Sequence, residues 1–371
     1  MSMRIDDICT YAPKSGIKAG EATKDGQYMF FTSSEDESKR YTDYQYDGEG
    51  IIMGTGGNAT LHYYNGKYAV STDCIVLNPD DRIRCKYLYY FFRANMPILE
   101  AGFKGAGLKH TNKKYIGSIT IPPIPPVDEQ DRIIEVLDRI SGIINARNLE
   151  MTALDDLIKA RFVEMFGSLE VNDKHWVERA LGELCEKVIR YPTFYGMEYL
   201  ESGTRVIRIG NILEDGHMET EDCNYVFVYD GVNDDYPETV IELNDIIMAV
   251  RGDGSAAKRI GIIREDELIG ANISPNLIRI KASKTMDPIF LFYYLTGEIG
   301  QKRLDAYVNK TAKKNIAAKD IVKVIVPVPP LQIQQQFAAF VAQVDKSKVV
   351  VQKALNEAQV LFDSLMQQYF G

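Results

Sequence analysis

Apolar residues recur at alternating spacings of four and three along two stretches of this chain, and the two stretches are copies of one another. In the first they are Ile133, Leu137, Ile140, Ile144, Met151, Leu154, Ile158 and Met165; in the second Phe337, Val341, Val344, Val351, Leu355, Ala358, Phe362, Leu365 and Tyr369. A period held near 3.5 residues marks the seam of a coiled coil. The copies align without a gap, 204 positions apart: Pro125-Pro126 with Pro329-Pro330, Gln130 with Gln334, Phe166-Gly167 with Phe370-Gly371. Proline extends neither a helix nor a central strand, so IPPIPP at 121–126 and VPVPP at 326–330 each end a preceding globule and set up a helix start. Asp128, Glu129 and Gln130 follow in one copy and Gln332, Gln334 and Gln335 in the other, where side-chain acceptors can satisfy free backbone donors. Gly167 and Gly371 suit a left-handed stop. Arg147, Arg161 and Lys348 fall at seam positions, where a polar side chain either fixes register or snorkels from the edge.

Between the helices the pattern changes to short apolar or β-branched runs bounded by turn residues, which predict strands. They are Ile51-Ile52-Met53, Ala69-Val70-Ser71 and Ile75-Val76-Leu77 before the first helix, and Ile246-Ile247-Met248, Ile260-Gly261-Ile262 and Leu277-Ile278-Arg279-Ile280 before the second. Three landmarks keep their order: the Ile51 and Ile246 runs, the Ile75 and Ile278 runs, and the aromatic clusters 88–92 and 291–295. The two globules therefore read as distant copies of one mixed fold. The aromatic clusters suit either the buried face of a helix or a platform for bases, and burial is the commoner use.

A forty-residue helix is about 60 Å long, and a globule of some 160 residues is about 40 Å across. Joining the end of the first helix to the start of the second is local if they run antiparallel, so antiparallel pairing is expected, with one globule at each end and a pseudo-two-fold axis between. Such a ruler suits two half-sites about 34–36 Å apart on a duplex, one helical turn.

At 371 residues the chain has room for two such globules, and no apolar run approaches the roughly 20 residues that cross a bilayer. A cytoplasmic protein is expected. Five scattered cysteines without a CxxC pair and four histidines without HExxH argue against a metal site or a disulfide framework. The net charge of −9 is unlike that of a simple nucleic-acid binder. Its distribution changes that picture: residues 103–116 carry Lys104, Lys109, Lys113 and Lys114 and no acid, and residues 302–323 carry seven basic residues against Asp305 and Asp320. Both basic clusters precede a proline element.

The paired IPPIPPVDEQ and VPVPPLQIQQQ entries, the helix ends LIKARFVEMFG and LFDSLMQQYFG, and VIRIGNI at 206–212 resemble the specificity subunit of type I restriction-modification systems. The resemblance spans nearly the whole chain in its repeat order. It implies an α/β (α+β) protein with two mixed, strand-rich target-recognition domains, 1–124 and 169–328, separated by an antiparallel coiled coil of two conserved helices, 125–168 and 329–371. It implies a non-enzymatic chain that binds a bipartite, asymmetric site on double-stranded DNA and docks two methylation subunits, with restriction subunits in the full complex. S-adenosylmethionine would be held by the methylation subunits, and this chain would carry no cofactor. Absences agree: there is no GxxxxGK[ST], no NPP[FY], and the Gly54–Ala59 glycine run precedes a predicted strand rather than a helix that would receive a pyrophosphate. Two other classes stay open, a coiled-coil adaptor binding protein partners through its globules and an enzyme with unrecognised carboxylates.

The candidate DNA contacts sit at corresponding strand ends. Gly54, Thr55, Gly56, Gly57 and Asn58 follow the Ile51 strand; Arg251, Gly252, Gly254 and Ser255, with Lys258 beyond, follow the Ile246 strand. Glycine lets backbone approach a groove, and the arginine fork matches guanine O6 and N7, which makes Arg251 the leading base reader. Lys109, His110, Asn112, Lys113 and Lys114, with their counterparts Lys310, Lys313, Lys314 and Asn315, suit phosphate oxygens.

Overall fold

The computed structural model describes residues 2–190, 198–250, 259–309 and 315–371. The chain forms two units, Met1–Met151 with Val350–Gly371, and Thr152–Val349. Each mixes helix and strand around its own core.

The four central strands of both units follow one order. In the first unit Cys9–Tyr11, Cys74–Pro79, Tyr46–Gly54 and Leu61–Val70 lie side by side, all antiparallel, and the sheet continues into Tyr28–Phe31 and Arg40–Tyr41. In the second, Cys185–Arg190, Leu277–Ala282, Ile246–Ala249 and Ile260–Ile262 repeat that order, again antiparallel. Side chains alternate faces along a strand, so an unbroken apolar run feeds two cores at once. Ile51 and Met53 join Ile75 and Leu77 on one face, while Ile52 and Val76 face Phe31 and Tyr68 on the other. Likewise Ile246, Met248, Ile278 and Ile280 share one cluster, and Ile247, Ala249 and Leu277 another. The second unit adds a three-stranded sheet, Val226–Val228, Thr204–Ile207 and Asn272–Ile273, over that other face. The strand Leu61–Val70 runs through Asn65-Gly66 without a turn. Gly66, paired with Gly48, takes φ +145°, open to glycine alone, so the backbone passes without a break.

The aromatic clusters form helices, Cys85–Ala94 and Pro288–Thr296, wedged between a sheet face and the long helices. Tyr90, Phe91 and Phe92 are buried, as are Phe290, Phe292 and Tyr294. The long helices run Val127–Phe166 and Leu331–Phe370, forty residues each. Gly167 closes the first with φ +75°, and the Lys174 ammonium donates to the carbonyls of Glu164 and Met165.

Within each unit the start of one long helix lies beside the end of the other. In the first unit Ile133, Leu137 and Ile140 pack with Phe362, Met366 and Phe370. In the second, Ile158 and Phe166 pack with Phe337, Val341 and Val344. Of the predicted seam residues, Ile133, Leu137, Ile140, Ile158, Phe337, Val341, Val344, Val351 and Phe362 are buried, and Ile144, Met151, Leu154, Leu355 and Leu365 are half-buried. Arg147 and Arg161 pair with Glu150 and Glu164 of their own helix, whereas Lys348 crosses to Asp155 of the other. Near the helix ends the buried stripe is wider than a seam, taking in Met366 and Phe370, because each end meets both the other long helix and an aromatic helix.

The amides expected to cap their own helix do something else. Gln130 and Gln334 are fully buried. Gln130 accepts from the Arg84 N–H at 2.7 Å, one residue before the aromatic helix, and donates to the Pro125 and Arg82 carbonyls at 2.9 and 3.1 Å. Gln334 repeats this, accepting from the Asp287 N–H at 2.8 Å and donating to the Pro329 carbonyl at 2.7 Å. Each amide staples the proline element to the neighbouring helix. Gln130→Leu, which strands those backbone groups, is expected to cost about 1–3 kcal/mol in urea unfolding of the chain.

Candidate nucleic-acid interface

In the first unit the glycine loop and the basic segment, far apart in sequence, are one structure. Gly54 ends the central strand, and the next residues are bound to the other segment through backbone: the Thr111 N–H donates to the Thr55 carbonyl at 3.0 Å, the Gly57 N–H to the Lys109 carbonyl at 2.9 Å, and Gly56 bridges His110. The loop's underside is fixed as well. The Thr55 hydroxyl and the Ser33 hydroxyl both donate to the Asp73 carbonyl, at 2.9 and 2.6 Å, and Ser33 Oγ accepts from the Thr55 N–H at 3.1 Å. Thr55 is thereby committed to shaping the loop, and Asn58 is left exposed beyond it.

The basic segment divides into a short hairpin and a helix. Lys104 and His110 exchange both backbone hydrogen bonds, at 3.0 Å each, closing residues 105–109 into a loop. Asn112 then caps the helix Lys113–Ser118, its Oδ1 accepting from the Tyr115 N–H at 3.0 Å. That leaves its amide N–H₂ as the group able to donate outward. Lys104, Lys109, His110, Asn112, Lys113 and Lys114 are all exposed. The Tyr11 hydroxyl donates to the Lys113 carbonyl at 3.1 Å, and the Lys113 ammonium lies 4.8 Å from the centre of the Tyr11 ring. Burial and the neighbouring Asp6 push the Tyr11 phenol above its ordinary range, so this support stays neutral at physiological pH.

The second unit shows the frame of the same construction. The Ile316 N–H donates to the Val250 carbonyl at 3.1 Å, as Thr111 does to Thr55, and Asn309 bridges Asn315 as Lys104 bridges His110. Val250 stands where Thr55 stands, two residues past the shared Met of the central strand. Arg251, Gly252, Gly254, Ser255, Lys258, Lys310, Lys313 and Lys314 lie outside the described residues; Asn315 is half-buried. Sequence reading placed both loops at strand ends and missed the backbone bonds that join each to its basic segment, because no side-chain pattern encodes them. The one signal was order: each basic cluster precedes its proline element by a similar interval.

Among the described residues no group of three or more His, Cys, Asp or Glu is placed to hold a metal ion, and no helix is long and apolar enough to cross a membrane.

Comparison with known proteins gives one result. The type I restriction modification DNA specificity domain matches residues 1–153 and 173–358. The chain is 24% identical over 327 residues to the MjaVIII type I restriction enzyme specificity subunit of Methanocaldococcus jannaschii, covering 82% of this chain and 75% of that one. It is 24% identical over 351 residues to the EcoBI specificity subunit of Escherichia coli, covering 86% and 71%. Among solved structures, the type I restriction-modification S subunit of M. genitalium superposes with a TM-score of 0.66 at 18% identity, over 100% of this chain and 96% of that one, a likeness of fold.

Proposed function

This chain belongs to the type I restriction modification DNA specificity family, and from that premise we propose that it is the subunit that reads DNA sequence for a type I restriction-modification complex. Residues 1–124 and 169–328 serve as two target-recognition domains, and 125–168 with 329–371 as an antiparallel coiled coil between them. The chain binds a bipartite, asymmetric site on double-stranded DNA in the cytoplasm and does no chemistry itself. Two methylation subunits, which hold S-adenosylmethionine, dock on it, and restriction subunits complete the assembly.

The observation that carries this reading is the duplicated joint: in each unit the residue that follows the central strand, Thr55 or Val250, accepts a backbone hydrogen bond from a residue far along the chain, Thr111 or Ile316. One frame used twice with different residues at 54–58 and 251–255 is what two unlike half-sites require. Phosphate contacts set position, and base contacts set sequence. The acidic total is reconciled if the methylation subunits supply part of the positive surface.

Sequencing methylated adenines in DNA exposed to the assembled methylation complex tests the assignment. A split motif, with two fixed half-sites around an unspecified spacer, is the expected result. A single continuous motif would overturn the two-headed reading, and methylation without sequence preference would favour an adaptor. Neutralising Lys113 and Lys114 together by alanine is expected to weaken binding to cognate and scrambled duplexes alike. The slope of log affinity against log salt should fall by about 2, one released counterion for each lost contact; an unchanged slope would remove both lysines from the phosphate set.

A further inference from the structure

On the basis of the DNA-reading assignment, we propose that Leu108 is a wedge that enters the base stack of one half-site, so that this half-site is read partly through its willingness to unstack.

Leu108 is 78% exposed. A lone apolar side chain on a surface is ordinary and asks for no explanation, but the setting of this one is not. It stands near the tip of the five-residue loop that Lys104 and His110 close with their reciprocal backbone bonds. Its neighbours Gly105, Ala106 and Gly107 present almost no side chain, so Leu108 is the one bulky apolar group the tip offers. The loop is also tight. Gly105 takes φ +149°, and a Cβ there would lie 2.7 Å from the Leu108 carbonyl oxygen, so only glycine allows the closure. Below the tip, the Gly57 N–H to Lys109 carbonyl bond and the Gly56 to His110 bridge tie the hairpin to the other candidate loop. A backbone so mounted loses little freedom on binding.

Charge identifies the occupant of the space in front of it. Lys104 and Lys109 flank Leu108, Lys113 and Lys114 follow, and residues 103–116 contain no acid. An apolar tip between cations matches a nucleic-acid duplex, whose outer face is anionic and whose interior is an apolar stack. Proteins that insert Leu, Ile, Phe or Met between base pairs kink the duplex there, and the cost is smallest at pyrimidine–purine steps. The second unit does not repeat the device. The bridges Lys104 to His110 and Asn309 to Asn315 each enclose five residues, and counted along the sequence from those bridges the counterpart of Leu108 is a lysine, with no large apolar residue between Asn309 and Asn315. The wedge is therefore assigned to one half-site alone.

The test uses the assembled methylation complex on its mapped site, with 2-aminopurine placed in turn at each position of both half-sites. On binding, fluorescence should rise at the methylated adenines, which the methylation subunits flip out of the stack, and at one further step of one half-site. Leu108→Ala should abolish the rise at that further step alone and weaken cognate binding roughly tenfold, with thermal stability unchanged, and a mismatch that loosens the same step should restore affinity to within about twofold of wild type. A wild-type complex that prefers its site but brightens no step besides the methylated adenines, or a Leu108→Ala complex indistinguishable from it, overturns the wedge and leaves the DNA-reading assignment standing. A wild-type complex with no preference for cognate over scrambled DNA overturns that assignment, and the wedge with it.

Discussion

Arg279→Ala is expected to destabilise the second unit by about 3–5 kcal/mol, the typical loss when one member of a buried ion pair is removed and its partner is stranded. Arg279 is fully buried in the strand Leu277–Ala282, and all three nitrogens of its guanidinium donate. Nε donates to Asp245 Oδ2 at 2.6 Å, Nη2 to Glu242 Oε1 at 2.7 Å and Nη1 to the Glu238 carbonyl at 3.0 Å. Asp245 is itself buried and also accepts from the Glu242 N–H, so removing the arginine leaves a carboxylate with no counter-charge inside the fold. Urea unfolding checks the size of the loss. Arg279→Ala combined with Asp245→Ala should lose less than the two single losses added, because the stranded charge is gone; strict additivity would mean the pair is not coupled. The network also sets an acid response. Lys281 and then Arg279 hold the Glu242 carboxyl at about 2, below its usual 4.5. A depressed carboxyl contributes stability above its unfolded value and loses it as pH falls, so this contribution fades between pH 4.5 and about 2.

Phe337→Ala ranks beside it, at about 3–5 kcal/mol. The ring is fully buried where the start of the second long helix meets the end of the first, with Phe162, Phe166 and Tyr293 centred 5.3, 5.5 and 5.4 Å away. Its truncation opens a cavity among aromatic neighbours that cannot collapse into it. For a unit of this size the loss should lower the melting temperature by on the order of 10 °C in calorimetry. Val349→Ala, on the same helix but 69% exposed, should change little. Equal effects from the two would mean that the helix contact at Phe337 does not hold the unit together.

Much of this architecture was legible because it is periodic. The four-three spacing, the proline entries and the Phe-Gly stops located both long helices, and the three ordered landmarks were enough to see one fold used twice. Arg279 shows where pattern reading runs out. It sits inside the run Leu277-Ile278-Arg279-Ile280, and its partners Asp245 and Glu242 come from more than thirty residues earlier, brought close by strand pairing that sequence spacing does not display. The glutamines repeat the lesson. Their recurrence was visible, but a local role was inferred because helix capping is local, whereas Gln130 reaches Arg84 across 46 residues. At the candidate interface the strand ends were located and the bonds that tie them to the later segments were not, since the Thr111 to Thr55 and Ile316 to Val250 bonds use only backbone atoms. Leu108 escaped notice because an apolar residue in a basic loop carries meaning only once its exposure and its mounting are known.

Chain connectivity sets when each unit can close. Thr152–Val349 is continuous, while the first unit is completed by Val350–Gly371, about 200 residues downstream of Met151. During synthesis Leu137 and the Cys85–Ala94 helix lack their partners Phe362, Met366 and Phe370 until the last long helix is made. The second unit likewise waits for Phe337, Val341 and Val344, so both cores close only when the last long helix has been made.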